Sequence, residues 1–148
     1  MNLRLLKFGI NLWPPFLGAG IKVQYIAPDY REIVVSMKLR WYNRNYVGTH
    51  FGGSLAAMTD PFYMLMLIHI LGNEYIVWDK TSTIDFRAPG RGTVTARFIL
   101  KDDQIAEITR KTADGDPYYP ELSVDIVNEL GEVVATVAKK LYVRKKQE

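Results

Sequence analysis

Ser54-Leu55-Ala56-Ala57-Met58-Thr59-Asp60-Pro61-Phe62-Tyr63-Met64-Leu65-Met66-Leu67-Ile68-His69-Ile70-Leu71 is apolar on nearly every side. A helix of that kind has to be enclosed by the rest of its chain rather than laid on a surface. Gly72-Asn73 closes it with residues that favour a left-handed cap. Its unbroken apolar part, Pro61 to Leu71, is about 11 residues long, too short to span a bilayer. Extending that part backwards would carry Asp60 into lipid at about 2.5–3.5 kcal/mol. The stretch therefore reads as one long central helix inside a soluble fold.

Outward from it the chain alternates. Ile21, Val23 and Tyr25 alternate with Lys22 and Gln24, and Ile33, Val35, Met37, Leu39 and Trp41 alternate with Glu32, Ser36, Lys38 and Arg40. Two strands of period two, turned at Pro28-Asp29, make a hairpin. Tyr75 to Arg87 and Thr93 to Lys101 read as a second hairpin across Ala88-Pro89-Gly90-Arg91-Gly92. In its first strand Ile76, Trp78, Ile84 and Phe86 are expected to face inward, with Lys80 and Ser82 interrupting them. Asp102 to Ala113 reads as a short surface helix opened by an aspartate cap. Leu122, Val124 and Ile126, then Val133, Ala135, Val137, Leu141 and Val143, make a third hairpin about Asn128–Gly131. Residues 1–20 form a lead-in bent at Trp13-Pro14-Pro15, and 145–148 a charged, frayed tail.

No repeat or linker divides residues 1–148, so a single domain is expected. About six strands in hairpins and one enclosed helix define an α+β architecture, an antiparallel sheet curled around the helix. Such a sheet keeps open edges, which predicts a homodimer. With 148 residues, 48% hydrophobic and 24% charged, there is material for one core, and a disordered chain is excluded. There are no cysteines, so disulfides, thiolate metal sites and a cysteine nucleophile are excluded. The net charge of +3 is mild, and aromatic and cationic residues share no stripe, so no nucleic-acid partner is expected. Charges at Arg4 and Lys7 break the amino-terminal apolar stretch, which argues against a signal peptide and for a cytoplasmic protein.

Asp60 carries the only formal charge in the central segment. Burial would raise its pKa and suit it to act as a base or nucleophile. The same Asp-Pro pair is equally an ordinary helix start, with Asp60 at N-cap and Pro61 at N1; a single helix kinked at Pro61 is the alternative. Gly52 and Gly53 allow close backbone approach and offer free N–H groups to developing negative charge, or form a plain tight turn. Neither His50 nor His69 has neighbours at metal-ligand spacing, so no metal is expected. His69 reads as structural, and His50, beside the glycines, as a ligand contact or acid/base group. Ser54 lacks the GxSxG elbow of a hydrolase triad. Lys80, Arg87 and Arg91 could meet a phosphate or form a solvated charged turn.

Asn45, Gly53 and Asp60 stand eight and then seven residues apart. In this spacing, and in the stretch Ile84-Asp85-Phe86-Arg87-Ala88-Pro89-Gly90-Arg91-Gly92, the chain resembles the hotdog-fold thioesterases, in particular the phenylacetate-pathway type. The likeness spans most of residues 20–145. Including the Trp-Pro-Pro lead-in, the chain resembles more closely a bacterial domain-of-unknown-function branch of those proteins. The histidine of the family's His-Gly-Gly falls here at Phe51, and His50 stands one residue earlier, a turn of roughly 100° on a helix. The resemblance implies a site across a dimer interface, with acyl-coenzyme A or a carrier-bound acyl thioester as substrate and no other cofactor. It implies that the Gly53 N–H holds the thioester oxygen, Asp60 activates water or attacks the carbonyl, and Asn45 orients carbonyl or water. Gly52, His50 and Phe51 would line the site, and Arg87, Arg91 and Lys80 are the candidates for coenzyme phosphates. Dimers could pair into tetramers, and packing of Met58, Phe62 and Met66 would set tunnel depth. A non-catalytic acyl-thioester or lipid-binding protein, and an acyl thioester dehydratase or hydratase, are the competing readings.

Overall fold

The alternation of residues 21–38 becomes two antiparallel strands, β1 (Ile21–Ile26) and β2 (Glu32–Lys38), pairing Ile21 with Met37 and Ile26 with Ile33. A bulge between Val23 and Tyr25 turns Tyr25 out and Ile26 in, while Leu39 and Trp41, expected on the second strand, lie beyond its end. Both strands belong to a computed structural model describing residues 2–148; Met1, the first residue of the lead-in, lies outside the described residues. Ahead of them stand α1 (Leu3–Leu12) and α2 (Pro14–Ala19), with prolines in the first turn of α2, where a missing N–H is harmless. After β2 come α3 (Gly52–Ala57), α4 (Phe62–Leu71), β3 (Tyr75–Phe86), β4 (Thr93–Ile99), α5 (Asp102–Lys111), β5 (Glu121–Val127) and β6 (Val133–Lys145). The six strands form one sheet in the order β1-β2-β4-β5-β6-β3. It curls around the central helical segment, so the expected architecture is the observed one.

The expected second hairpin does not form: β3 pairs with β6, not with β4. The short Pro/Gly connection that suggests a turn is instead a crossover held by another loop. Gly90 O accepts from the His50 N–H, His50 Nε2 bonds Gly92 O at 2.8 Å, and Leu39 N donates to Gly92 O. β6, 13 residues long, pairs with β5 on one side and β3 on the other.

A bulge between Asp79 and Thr81 leaves Lys80 unpaired and reverses the phase of β3. Before it the odd residues Tyr75 and Val77 pack on the core, while after it Ile84 does. Ile76 and Trp78 are therefore on the outer face, against expectation, and Trp78 stacks on Tyr142 at 4.1 Å. Phe86 is largely exposed.

The central segment is not one unbroken helix. α3 and α4 are separated at Met58–Pro61. Leu55, Met58, Phe62, Met66 and Leu67 are buried among strand residues such as Ile33, Phe98 and Leu141. Gly52–Leu71 as a whole, 20 residues, has the length and hydropathy of a membrane span, whereas the sequence reading weighs only Pro61–Leu71 and finds it too short; in this fold the segment supplies core residues such as Leu55, Met58 and Phe62. α5 opens with Lys101 at N-cap, its N–H donating to Gln104 Oε1, so Asp102 and Asp103 occupy the first turn instead of capping it. Lys145 ends β6 and the Lys146 N–H donates to Glu74 O, so the expected frayed tail is held that far.

The two sheet edges are treated differently. Along β1, the Asn11 carboxamide of α1 accepts from Val23 N at 2.7 Å and donates to Val23 O at 3.1 Å, and Lys7 Nζ donates to Gln24 O. Side chains of α1 thus occupy backbone groups that an edge strand leaves open. β3, 12 residues long, borders the sheet with no covering strand among the described residues.

Candidate functional site

The loop between β2 and α3 is built by Asn45. Its Oδ1 accepts from the N–H groups of Val47 and Thr49, and its Nδ2 donates to Thr49 Oγ1 and to His50 O. Asn45 N donates to Thr49 O and Gly48 N to Asn45 O, with Gly48 at φ 83°, a left-handed turn suited to glycine. The amide of Asn45 is therefore committed to its own loop.

His50, only 3% exposed, is the stitch between that loop and the connection after β3. Facing a carbonyl at Gly92, Nε2 carries the proton, and Nδ1 is buried with no partner. Burial holds its pKa below the usual histidine value, partly opposed by the Gly92 bond. Phe51, next in the chain, points the other way and is 55% exposed. The one-residue displacement from the family pattern thus sends the imidazole inward and leaves a phenyl ring at the surface beside Gly53.

Phe51 is the N-cap of α3. The first helical N–H groups have no acceptor within the helix. Ser54 N and Leu55 N donate to Phe51 O, whereas the N–H groups of Gly52 and Gly53 have no hydrogen-bond partner among the described residues. A Cβ on Gly52 would stand 3.0 Å from the Phe86 ring, and one on Gly53 would stand 2.7 Å from the Phe51 ring. Both positions are close-approach sites where a side chain would displace an aromatic ring.

Asp60 lies in the turn joining α3 to α4, and it is exposed, not buried as the apolar segment suggested. It is not the helix cap either: Pro61 is N-cap of α4 and no side chain caps it. The Asp60 carboxylate has no hydrogen bond or ion pair among the described residues. Its backbone carbonyl accepts from Lys139 Nζ at 2.7 Å, and the same ammonium lies 3.3 Å from Asp79 Oδ2. Burial pushes the Asp79 carboxyl above the usual carboxylate range; Lys139 opposes this and Asp60 adds to it.

A cleft of about 550 Å³ is lined by Asn45, Val47, His50, Gly52, Phe86 and Arg91, among others. Of the residues singled out from sequence it brings together Asn45, His50, Gly52, Arg87 and Arg91, but not Phe51, Gly53 or Asp60. Arg91 is exposed and makes no ion pair among the described residues. Arg87 is partly engaged, with Nη2 3.3 Å from Asp85 and Nε donating to Thr136 Oγ1. Lys80 is not brought there: its ammonium sits 4.2 Å over the Tyr119 ring. His69 stacks on Tyr30 at 4.1 Å, in a structural place. A second cleft, of about 630 Å³, opens where β4 and β5 part after two paired residues each, and Tyr63 there donates its hydroxyl to Ser123 O. It is lined by charges of both signs and holds none of the candidate residues. Among the described residues no cluster of His, Asp and Glu could hold a metal ion.

Sequence reasoning missed Lys139 and Asp79. The signal for Lys139 was present, since it stands on the apolar phase of Val137, Leu141 and Val143. Asp79 was masked by the bulge.

The chain belongs to the family described as "Domain of unknown function (DUF4442)", which matches residues 3–143. No curated protein matches it. Among solved structures it is similar to PA5026 of Pseudomonas aeruginosa, a protein of unknown function called a probable thioesterase, with 18% identity and a TM-score of 0.83 over 99% of this chain and 97% of that one. It is similar to thioesterase HI1161 of Haemophilus influenzae, with 17% identity and a TM-score of 0.71 over 100% and 94%. A mutant of the phenylacetic acid degradation protein PaaI of Thermus thermophilus is 25% identical, with a TM-score of 0.60 over 89% and 99%. The fold is that of the hotdog thioesterases.

Proposed function

We propose that the chain is a cytoplasmic acyl thioesterase, hydrolysing an acyl-coenzyme A or carrier-bound thioester at a site shared by two subunits. The carrying observation is a mismatch within one chain. The Gly53 N–H and the Asp60 carboxylate are both left without partners, as an oxyanion donor and a base must be before substrate binds. Yet they are seven residues apart, Gly53 in the first turn of α3 and Asp60 in the turn beyond its end, a separation of about 10 Å at 1.5 Å per residue, too far to serve one carbonyl. A second copy resolves this. Gly52 lies against Phe86 near one end of β3, and the Asp60 turn is tied through Lys139 to Asp79 further back along it. Antiparallel pairing of two β3 strands, with its two-fold axis near Ser82 and Thr83, would set the Asp79 end of one against the Phe86 end of the other. That arrangement carries Asp60 towards the partner's Gly53.

In the reaction, Asp60 takes a proton from water and the hydroxide adds to the thioester carbonyl. The oxyanion is held by the Gly53 N–H. Collapse breaks the C–S bond, and the thiolate leaves with the proton from Asp60. Direct attack by Asp60 through an acyl-enzyme anhydride is the other route open to the same carboxylate. Asn45 acts by holding the loop that precedes the glycines. Arg91 and Arg87, lining the cleft, are placed for coenzyme phosphates, and Phe86 for the apolar part of the substrate.

The test is free-thiol release from short, long and aryl acyl-coenzyme A substrates by wild type and Asp60→Asn. Turnover lost by about 10²–10⁴-fold in the variant, with fold and dimer intact, is the expected result. Equal activity in the variant overturns the role of Asp60. Saturable acyl-coenzyme A binding without thiol release, in folded dimeric protein, would replace the enzyme by a binding protein.

A further inference from the structure

Lysine is seldom buried without a reason, and the Lys139 side chain is 2% exposed, on a strand face otherwise given to Val137, Leu141 and Val143. Its ammonium is satisfied at two points, Asp60 O and Asp79 Oδ2. Asp79 faces it only because the bulge at Lys80 turns that part of β3, and Asp79 Oδ1 remains buried without a partner. A buried ion pair is commonly no more stable than apolar residues of the same volume, so this one is poorly explained by stability alone.

What it grips is specific. α3 ends at Ala57, and the α4 ladder begins with Leu65 N donating to Pro61 O, so the Asp60 carbonyl falls in the gap between the two ladders. No backbone N–H among the described residues takes it. Lys139 supplies the missing donor, and so holds the one residue of the segment whose side chain is turned out of the core with a free carboxylate.

We propose that Lys139 is a positioning residue for Asp60. Held by Asp79, its ammonium pins the backbone of the α3–α4 turn and thereby sets where the Asp60 carboxylate stands. This rests on Asp60 being the base of the proposed thioesterase and adds to that reading the device that aims it. Lys139 does not touch the substrate; it acts through the turn.

The experiment compares wild type, Asp60→Asn, Lys139→Met and the double variant Lys139→Met with Asp79→Leu in steady-state thiol release, with thermal melting of each. The single variant strands a buried carboxylate and is expected to melt earlier. The double variant removes both charges and is expected to melt near wild type. In the double variant kcat is expected to fall about 10–100-fold while KM stays within about threefold, because a misplaced base affects the chemical step rather than binding. A folded double variant with wild-type kcat overturns the proposal, even where Asp60→Asn is inactive and the role of Asp60 stands. A KM rise with unchanged kcat also overturns it, since the pair would then shape the binding surface. No thiol release from wild type on any substrate overturns both the proposal and the reading on which it rests.

Discussion

His50 and Phe51 carry one consequence of a single-residue displacement. With the imidazole turned inward, its Nε2–H serves Gly92 O while Nδ1 is buried and bare, so protonation would place an unmatched charged donor in the interior. Burial lowers the His50 pKa, and burial also lowers that of His69. An unfolded histidine titrates near about 6.5, so between there and the lower folded value the unfolded chain binds more protons. Stability from this source is therefore complete above pH of about 6.5 and is lost as pH falls through the folded value. The slope is at most about 1.4 kcal/mol per pH unit for each proton. Denaturant unfolding at several pH values should show this acid slope in wild type and a shallower one in His50→Gln; an unchanged slope would show that His50 does not contribute. At this scale the sequence offers Asn45, Gly53 and Asp60 as candidates through the resemblance their spacing carries, and their roles stand as a proposal. Their surroundings were not legible: that Asp60 is exposed, that it caps nothing, and that the Asn45 amide is spent on its loop all depend on hydrogen bonds between distant segments.

Elements were legible where one face is buried and the pattern has a single period, as in β2, β5 and β6. They were misread where the chain changes phase or crosses over. Lys80 at the bulge inverts β3, so Trp78 goes out while Asp79 comes in, and two half-patterns of opposite phase look like one imperfect strand. The Ala88–Gly92 connection carries strong turn residues, but its carbonyls are claimed by His50 and Leu39, and β3 is carried to the far edge. At the opposite edge, Asn11 is a strand cap delivered by a helix. Asn11→Ala would leave Val23 N–H and C=O without partners in a half-buried place and should cost about 1–3 kcal/mol in chemical unfolding. A change within about 0.3 kcal/mol would mean that water replaces the carboxamide at no loss.

For the whole molecule, the proposed dimer is placed at β3 because α1 side chains cover the β1 edge while the β3 edge is open among the described residues. Thr81 and Thr83 are exposed there, and lysines are a natural means of keeping edge strands apart. Thr81→Lys with Thr83→Lys should convert a dimer to a folded monomer in light scattering and abolish thiol release with it. A dimer unaffected by both lysines would place the interface elsewhere. The most direct measurement is made on a heterodimer carrying two tags, one subunit with Asp60→Asn and the other with Gly53→Pro, which deletes the N–H at the helix start. Each parent homodimer lacks one half of both sites, whereas the heterodimer keeps one complete site if the Gly53 N–H of one subunit works with the partner's Asp60. Thiol release at about half the wild-type rate is the expected result for such a two-fold dimer. A purified, folded heterodimer as inactive as its two parents would contradict a site shared across the interface.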